Sequence, residues 1–533
     1  MRLSAAQLVC LFSLVRLLRG PDDVPAVHAQ RQAPLPARPA TGRRADADRR
    51  PAGVGCAACH EHSRRSAQAN DDDLFPVFGV YGWKFTDIRV SPDDEDDLFI
   101  LGNRAFRSRD GGQTFQRIGE KIIRMHDTRG VIMHLDHHEI WIDPTNPDRV
   151  LLGNDGGLFQ SWDRGESWLH HNNIPAAEFY SITLDMSEPF RIFGGTQDNA
   201  ALYGPSHIDI ETAIWDPWEN VYLDQWTGGH SFDTYPDPTD SSLVYYEHQH
   251  GAIRRMDITQ DSVLTGVAES IRPRFRRSGG AGEADGGDSI QWRSGWYTPF
   301  IISHLDTSTH LVGGNHLIRS TDRGETWTAI SPDLSDQPQG PRGVVPFGTI
   351  TMVAESHLRE GLIYVGTEGG SVWKTEDGGG EWRRIGPDLP RKWVSRVVAS
   401  THQPGRVFLS QTGFREDDFS TYLFRSDDFG ESWTSLAGNL PPESVNVIQE
   451  DPLFSDVLYV GTDLGVYVSG DGGGSWYSLS PQLPSTPVHD LEVHPRDGEL
   501  VIGTHGRSAF VLDLTEVRAR LQAVGGRVNN GRF

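Results

Sequence analysis

Four aspartates, Asp136, Asp155, Asp198 and Asp490, stand among residue types that a plain structural turn does not need. Around them lie His134, His137, His138, Gln197, Trp296, Tyr297, Arg396, His489, His505 and Arg507. Two carboxyl groups roughly 5 to 9.5 Å apart can hydrolyse a glycosidic bond, one giving a proton and the other attacking or activating water. Trp and Tyr faces stack on sugar rings, and His and Arg supply hydrogen bonds to a ligand. The same set can also bind a ligand without cleaving it. A metal site is not expected. Asp136, His137 and His138 are consecutive, so on a strand they alternate faces, and no H-x-x-x-H or H-E-x-x-H helix is present. No local signature of a Ser/Cys–His nucleophile pair occurs either. Cys56-Ala57-Ala58-Cys59-His60 has the attachment pattern of a c-type haem, with Cys56, Cys59 and His60 as its groups. Its flanks offer no apolar pocket, so an unstructured tail is the competing reading, and no cofactor is expected.

These residues must be positioned by a repeat. The phrase Ser/Thr-x-Asp-x-Gly-x-Ser/Thr-aromatic begins at Ser108, Ser161, Ser320, Ser426 and Ser469, and at Thr375 with Glu381 for the second hydroxyl. Its aspartates are Asp110, Asp163, Asp322, Asp377, Asp428 and Asp471. The starts differ by 53, 159, 55, 51 and 43 residues. The gap of 159 is three periods, which predicts two degenerate repeats around Gly194 to Gly204 and Gln249 to Asp257. A period of about 50 residues suits a propeller blade. Each unit reads as four short β-branched or aromatic runs separated by Asp-Pro and Gly-rich turns. No stretch of ten residues has a clean helical period. Within the phrase, Ser/Thr and Asp close a turn through local backbone bonds, Gly supplies positive φ, and the aromatic packs between blades. The six aspartates are therefore read as structural.

The phrase is identified as the Asp-box, or bacterial neuraminidase repeat, which recurs in sialidases, xyloglucan-degrading glycoside hydrolases and sortilin-type receptors. The connecting sequence resembles bacterial sortilin-like, glycosyl-hydrolase-like propellers over about residues 75–515. The stretches that carry the likeness include His134-Leu135-Asp136-His137-His138, Leu152 to Gly157, Gly194 to Asn199, Arg391 to Arg396, and Gly503 to Arg507. The fold class expected is all-β, a propeller of about eight or nine four-stranded blades, complete or shortened. With strands running outward from a channel, the Asp-boxes lie on one face. The D-to-A connections and B–C turns lie on the other face, and these carry the site residues and the long Thr412 to Ser420 loop. A run at Phe75 to Tyr81 is expected to complete the last blade. The function that follows is a secreted binding module for a peptide or glycan on the face opposite the Asp-boxes. The alternative is a glycoside hydrolase, xyloglucanase-like or sialidase-like, using a carboxylate pair there. For the sialidase form the arginine triad is not evident.

Composition bounds the rest. The 533 residues carry 49 Lys and Arg against 73 Asp and Glu, a net charge of −24, with 15 Trp. So acidic a chain repels nucleic acid. Residues 1–30 read as a possible export signal, with an apolar Leu3 to Leu18 run too short and too interrupted by Arg to span a membrane. Residues 31–70, with ten Ala, eight Arg and no aromatic, cannot bury a core. The propeller is assigned to 71–515 and a tail to 516–533. Secretion or a periplasmic location follows if the signal is real, with a peptide or carbohydrate partner and no nucleic acid.

Overall fold

The structure is a computed structural model. It describes Lys84 and residues 86–119, 122–123, 133–171, 173–209, 218–222, 229–259, 268–274, 290, 292–336, 348–480 and 483–524. The readings made for residues 1–70 and for Phe75 to Tyr81 lie outside that set.

The repeat becomes nine antiparallel sheets in chain order, at 87–117, 122–171, 179–222, 231–270, 300–329, 350–385, 393–435, 445–478 and 488–513. Seven have four strands and the ninth has three; the second gains a fifth, Ile122–Ile123, running parallel to Trp168–His171. The two degenerate repeats are present as sheets three and four, whose middle strands include Arg191–Thr196 and Ala252–Asp257. The tail assigned to 516–533 instead begins as a helix, Thr515–Val524. Its Val517 is buried with Leu514, Val493 and Leu500, and Leu521 packs on the same cluster. Arg518 pairs with buried Asp451 at 2.8 Å.

Each sheet forms because its middle strands are continuous apolar runs that bury both faces against neighbouring sheets. Leu458–Thr462 and Ile363–Thr367 are buried at every position. The recurring turn ties the outermost strand down. In the fifth sheet, Asp322 accepts the Thr326 N–H at 2.9 Å, the Thr326 hydroxyl at 2.6 Å and the Ser320 hydroxyl at 2.7 Å. Gly324 takes φ +91°, which a β-carbon disfavours, while its N–H reaches Ser320 Oγ at 2.8 Å. The aromatic then staples sheets together. Trp327 Nε1 donates to Ile271 O, Trp382 Nε1 to Ile330 O and Trp476 Nε1 to Leu436 O, each in the preceding repeat.

Sheets three to nine touch in cyclic order through their inner strands, the sixth meeting the second strand of the fifth, and the ninth returns to the third. Asp490 accepts the Ile182 N–H at 3.0 Å, Ser508 Oγ accepts the Ala177 N–H at 3.1 Å, and Glu178 bridges His505. Ile182, Ile192 and Val501 share one buried cluster across that joint. Seven sheets thus form a ring. Sheets one and two pack on each other through a common core that includes Phe99, Leu101, Ile140 and Trp168, and stand outside it. The count expected from the period is met, but the nine sheets are not one ring.

Candidate functional site

The two-sheet arc meets the ring at two turns. One is Asn154 to Gly157 in sheet two, together with the 134–138 segment that leads into the inner strand His137–Ile142. The other is Gln197 to Ala200 in sheet three. Two side chains latch them reciprocally. His134 Nε2 donates to Asp198 O at 2.6 Å, and Asn199 Nδ2 donates to Asp155 O at 2.8 Å. The backbone of each aspartate is thereby held by the opposite unit. Asp136, Asp198 and Ala200 all adopt φ of 57–59°, a region costly for residues other than glycine and often found where function dictates geometry.

At this seam the carboxylates differ in environment. Asp155 Oδ1 lies 2.5 Å from His138 Nε2. Burial pushes the Asp155 carboxyl above the usual range; the His138 bond opposes this, and the charges of Asp198 and Asp136 add to it. Asp198 lies 3.1 Å from His230 Nε2. Burial lowers the His230 pKa against the pull of Asp198. Asp136 accepts Asn103 Nδ2 at 2.6 Å, which ties it back to sheet one.

From Asp198 an arc of rings follows the channel mouth. Tyr180 donates to Gln197 Oε1 at 2.8 Å and sits 3.1 Å from His230 Nδ1. Its ring is 5.1 Å from that of His505, which stacks on His489 at 4.3 Å. Burial, then the charges of His505, Arg396 and Arg415, hold His489 down to about 3, so it is neutral. On the other side His230 meets Trp296 edge-on at 5.1 Å, and Trp296 remains 43 % exposed, open for stacking.

A second layer lies deeper in the channel. Arg396 pairs with Asp490 at 2.6 Å, and Asp490 also accepts the backbone of Ile182 and Leu491. Asp233 accepts the Phe300 N–H at 2.9 Å and the Tyr297 hydroxyl at 2.8 Å. Burial raises Asp233 to about 6 and Glu492 to about 8, the latter with help from the charge of Asp490.

The residues singled out from sequence therefore divide. His134, His138, Asp155, Gln197, Asp198, Trp296, His489 and His505 come together at the seam and mouth. Asp490, Arg396 and Tyr297 belong to the deeper layer, where Arg396 pairs with Asp490 and the Tyr297 hydroxyl bonds Asp233. His137 is turned into the core, 3 % exposed, and burial lowers its pKa to about 3. Arg507 is exposed and donates to its neighbour Gly506 O. Sequence reasoning missed Tyr180, His230 and Asp233. His230 just precedes the inner strand Ser231–Pro236, as His134, Trp296 and His489 precede or begin theirs. The same rule would have found it had the degenerate repeat been aligned. Among the described residues, no group of three or more His, Cys, Asp or Glu is arranged to hold a metal, and no helix is long and apolar enough to cross a membrane.

No family model matches the chain. A curated xyloglucanase from Paenibacillus sp. is 24% identical over 319 residues, which cover 55% of this chain and 26% of the relative. The match thus spans about a quarter of that protein's length. Among solved structures, the GH74 enzyme of Niastella koreensis is similar at 12% identity, covering 79% of this chain and 75% of that one, with a TM-score of 0.26. The extracellular domain of the hybrid two-component system BT4673 from B. thetaiotaomicron gives 14% identity, 80% and 52% coverage, and a TM-score of 0.42.

Proposed function

We propose that this β-propeller, similar to glycoside hydrolases, acts on a polysaccharide laid across the seam between the two-sheet arc and the ring. Asp155 is the acid and Asp198 its partner carboxylate. The observation that carries this reading is the half-buried Asp155 carboxyl, pushed above the usual carboxylate range by burial and, further, by the nearby charge of Asp198, against the pull of His138. A carboxyl raised in this way suits the general acid of a glycosidase. Asp155 gives its proton to the leaving glycosidic oxygen. Asp198 attacks the anomeric carbon or takes a proton from the water that does, and water supplies the new hydroxyl. His138 orients Asp155, His230 orients Asp198, and Trp296 offers its exposed face to a sugar ring. The distant likeness to a xyloglucanase supports a carbohydrate. Export, expected from residues 1–30, fits a polymer outside the cell.

Wild type, Asp155→Asn and Asp198→Asn should be assayed for release of reducing ends from xyloglucan and other plant and bacterial polysaccharides. Binding should be followed in parallel by affinity electrophoresis. Either substitution should slow cleavage about 100-fold or more, the scale of a lost acid or base, with binding kept. Cleavage should also fall as pH rises through the elevated Asp155 value. A variant that cleaves like wild type removes the assignment. A second reading, a binding module for glycan or peptide, is favoured by the many rim groups that bond one another, such as Tyr180 with Gln197. Wild type that binds without cleaving establishes it.

A further inference from the structure

The long loop of sheet seven carries a cation that the rest of the site does not use. It joins Val407–Gly413 to Asp418–Ser426 through a 3-10 turn, Phe414–Glu416. Lys392 clamps it, reaching Glu416 at 2.8 Å and Asp418 at 2.9 Å, and Tyr422 donates to Asp418 at 2.7 Å. Asp417 turns the chain at φ 56°. Between these anchors the Arg415 guanidinium carbon lies over Trp393, 3.9 Å from its ring centre, and 4.5 Å from that of Phe414. Among the described residues it forms no ion pair or hydrogen bond. The carboxylate it feels most, Glu368, accepts the Gly348 N–H at 2.7 Å. Arg415 is exposed on these rings, and its planar guanidinium can meet a carboxylate with two parallel N–H bonds, which a lysine cannot.

Its place is the channel mouth. The charge of Arg415 reaches His489, which stacks on His505, two residues before Arg507. Arg507 too has no carboxylate partner among the described residues. Arg415 and Arg507, neither with a carboxylate partner among the described residues, are thus cations on the site face of a chain of net charge −24. They suit a single carboxylate rather than a polyanion, which the body repels. The same face offers the exposed Trp296, a surface for a sugar ring.

Resting on the glycan reading above, we propose that Arg415, helped by Arg507, recognises a carboxylate, and that the ligand is an acidic oligosaccharide carrying uronic-acid residues. The test uses the full chain, an oligosaccharide containing glucuronic acid and the same oligosaccharide with its carboxyl reduced to the alcohol. Calorimetry should show the acidic form binding about tenfold tighter, as expected for one charge-assisted bidentate contact. Arg415→Gln should abolish most of that preference while leaving the reduced form unaffected. Arg507→Gln should weaken the preference less. Equal binding of both forms, or an equal loss on both in Arg415→Gln, overturns the inference while leaving the glycan reading in place. Failure of both sugars to bind, with Arg415-dependent capture of a peptide bearing a free C-terminal carboxylate, overturns the two together.

Discussion

Asp322 and Asp155 belong to the same residue type and have opposite environments. Asp322 has its oxygens filled by Thr326 and Ser320, and these bonds outweigh burial to hold its carboxyl below the usual range. Asp322→Ala should therefore cost about 1–3 kcal/mol in urea unfolding without altering ligand binding. Because the folded pKa is depressed, the ionised form contributes above the ordinary aspartate range and loses that contribution as pH falls through the folded value. The gap between wild type and variant should narrow on acidification; a gap independent of pH contradicts this account of the turn. The regular spacing of the phrase made Asp322 and its five counterparts legible in the sequence. Asp155 and Asp198 were legible only as candidates. Their pairing depends on a latch between residues 134 and 198, which no spacing rule encodes.

At the scale of elements, the inner strands carry the charge of the channel. Asp233 and Asp490 each occupy an inner strand and each take a backbone N–H from the next sheet in the ring, Phe300 and Ile182 respectively. Asp490 was read as a site residue because only its position on one face was visible. That it fastens one sheet to another depends on the ring being closed. Glu492, two residues along the same strand, stays protonated in the folded protein up to about 8, whereas in the unfolded chain it ionises near the ordinary glutamate value. Between those values the unfolded state holds fewer protons, so stability falls as pH rises. Glu492→Gln does not titrate. Its melting temperature relative to wild type should climb steadily from about pH 5 to pH 8, most visibly in differential scanning calorimetry. Parallel curves would mean that the channel is wetter than its packing implies.

At the scale of the molecule, a period near 53 residues foretold the number of sheets but not their grouping into seven and two. Every repeat carries the same faces, so chain order alone does not say where a ring closes. Closure is made by contacts between residues 177–182 and 488–508, more than three hundred positions apart. The helix Thr515–Val524 escaped notice because its apolar positions are few; its place is set by the Asp451–Arg518 pair and the core beneath it. The grouping has a dynamic consequence. Ring sheets have neighbours on both sides, while sheet one packs on sheet two alone among the described contacts. Hydrogen exchange should be slowest in ring strands such as Leu458–Thr462 and faster in Asp87–Val90; equal protection would mean that the two units unfold as one. The most direct test of the whole account is a crystal structure of Asp155→Asn soaked with an oligosaccharide that the protein binds. The account predicts a sugar ring on Trp296 and a glycosidic oxygen within hydrogen-bonding distance of residue 155, with Asp198 across the bond. A sugar bound on the opposite face, among the recurring turns, would contradict it.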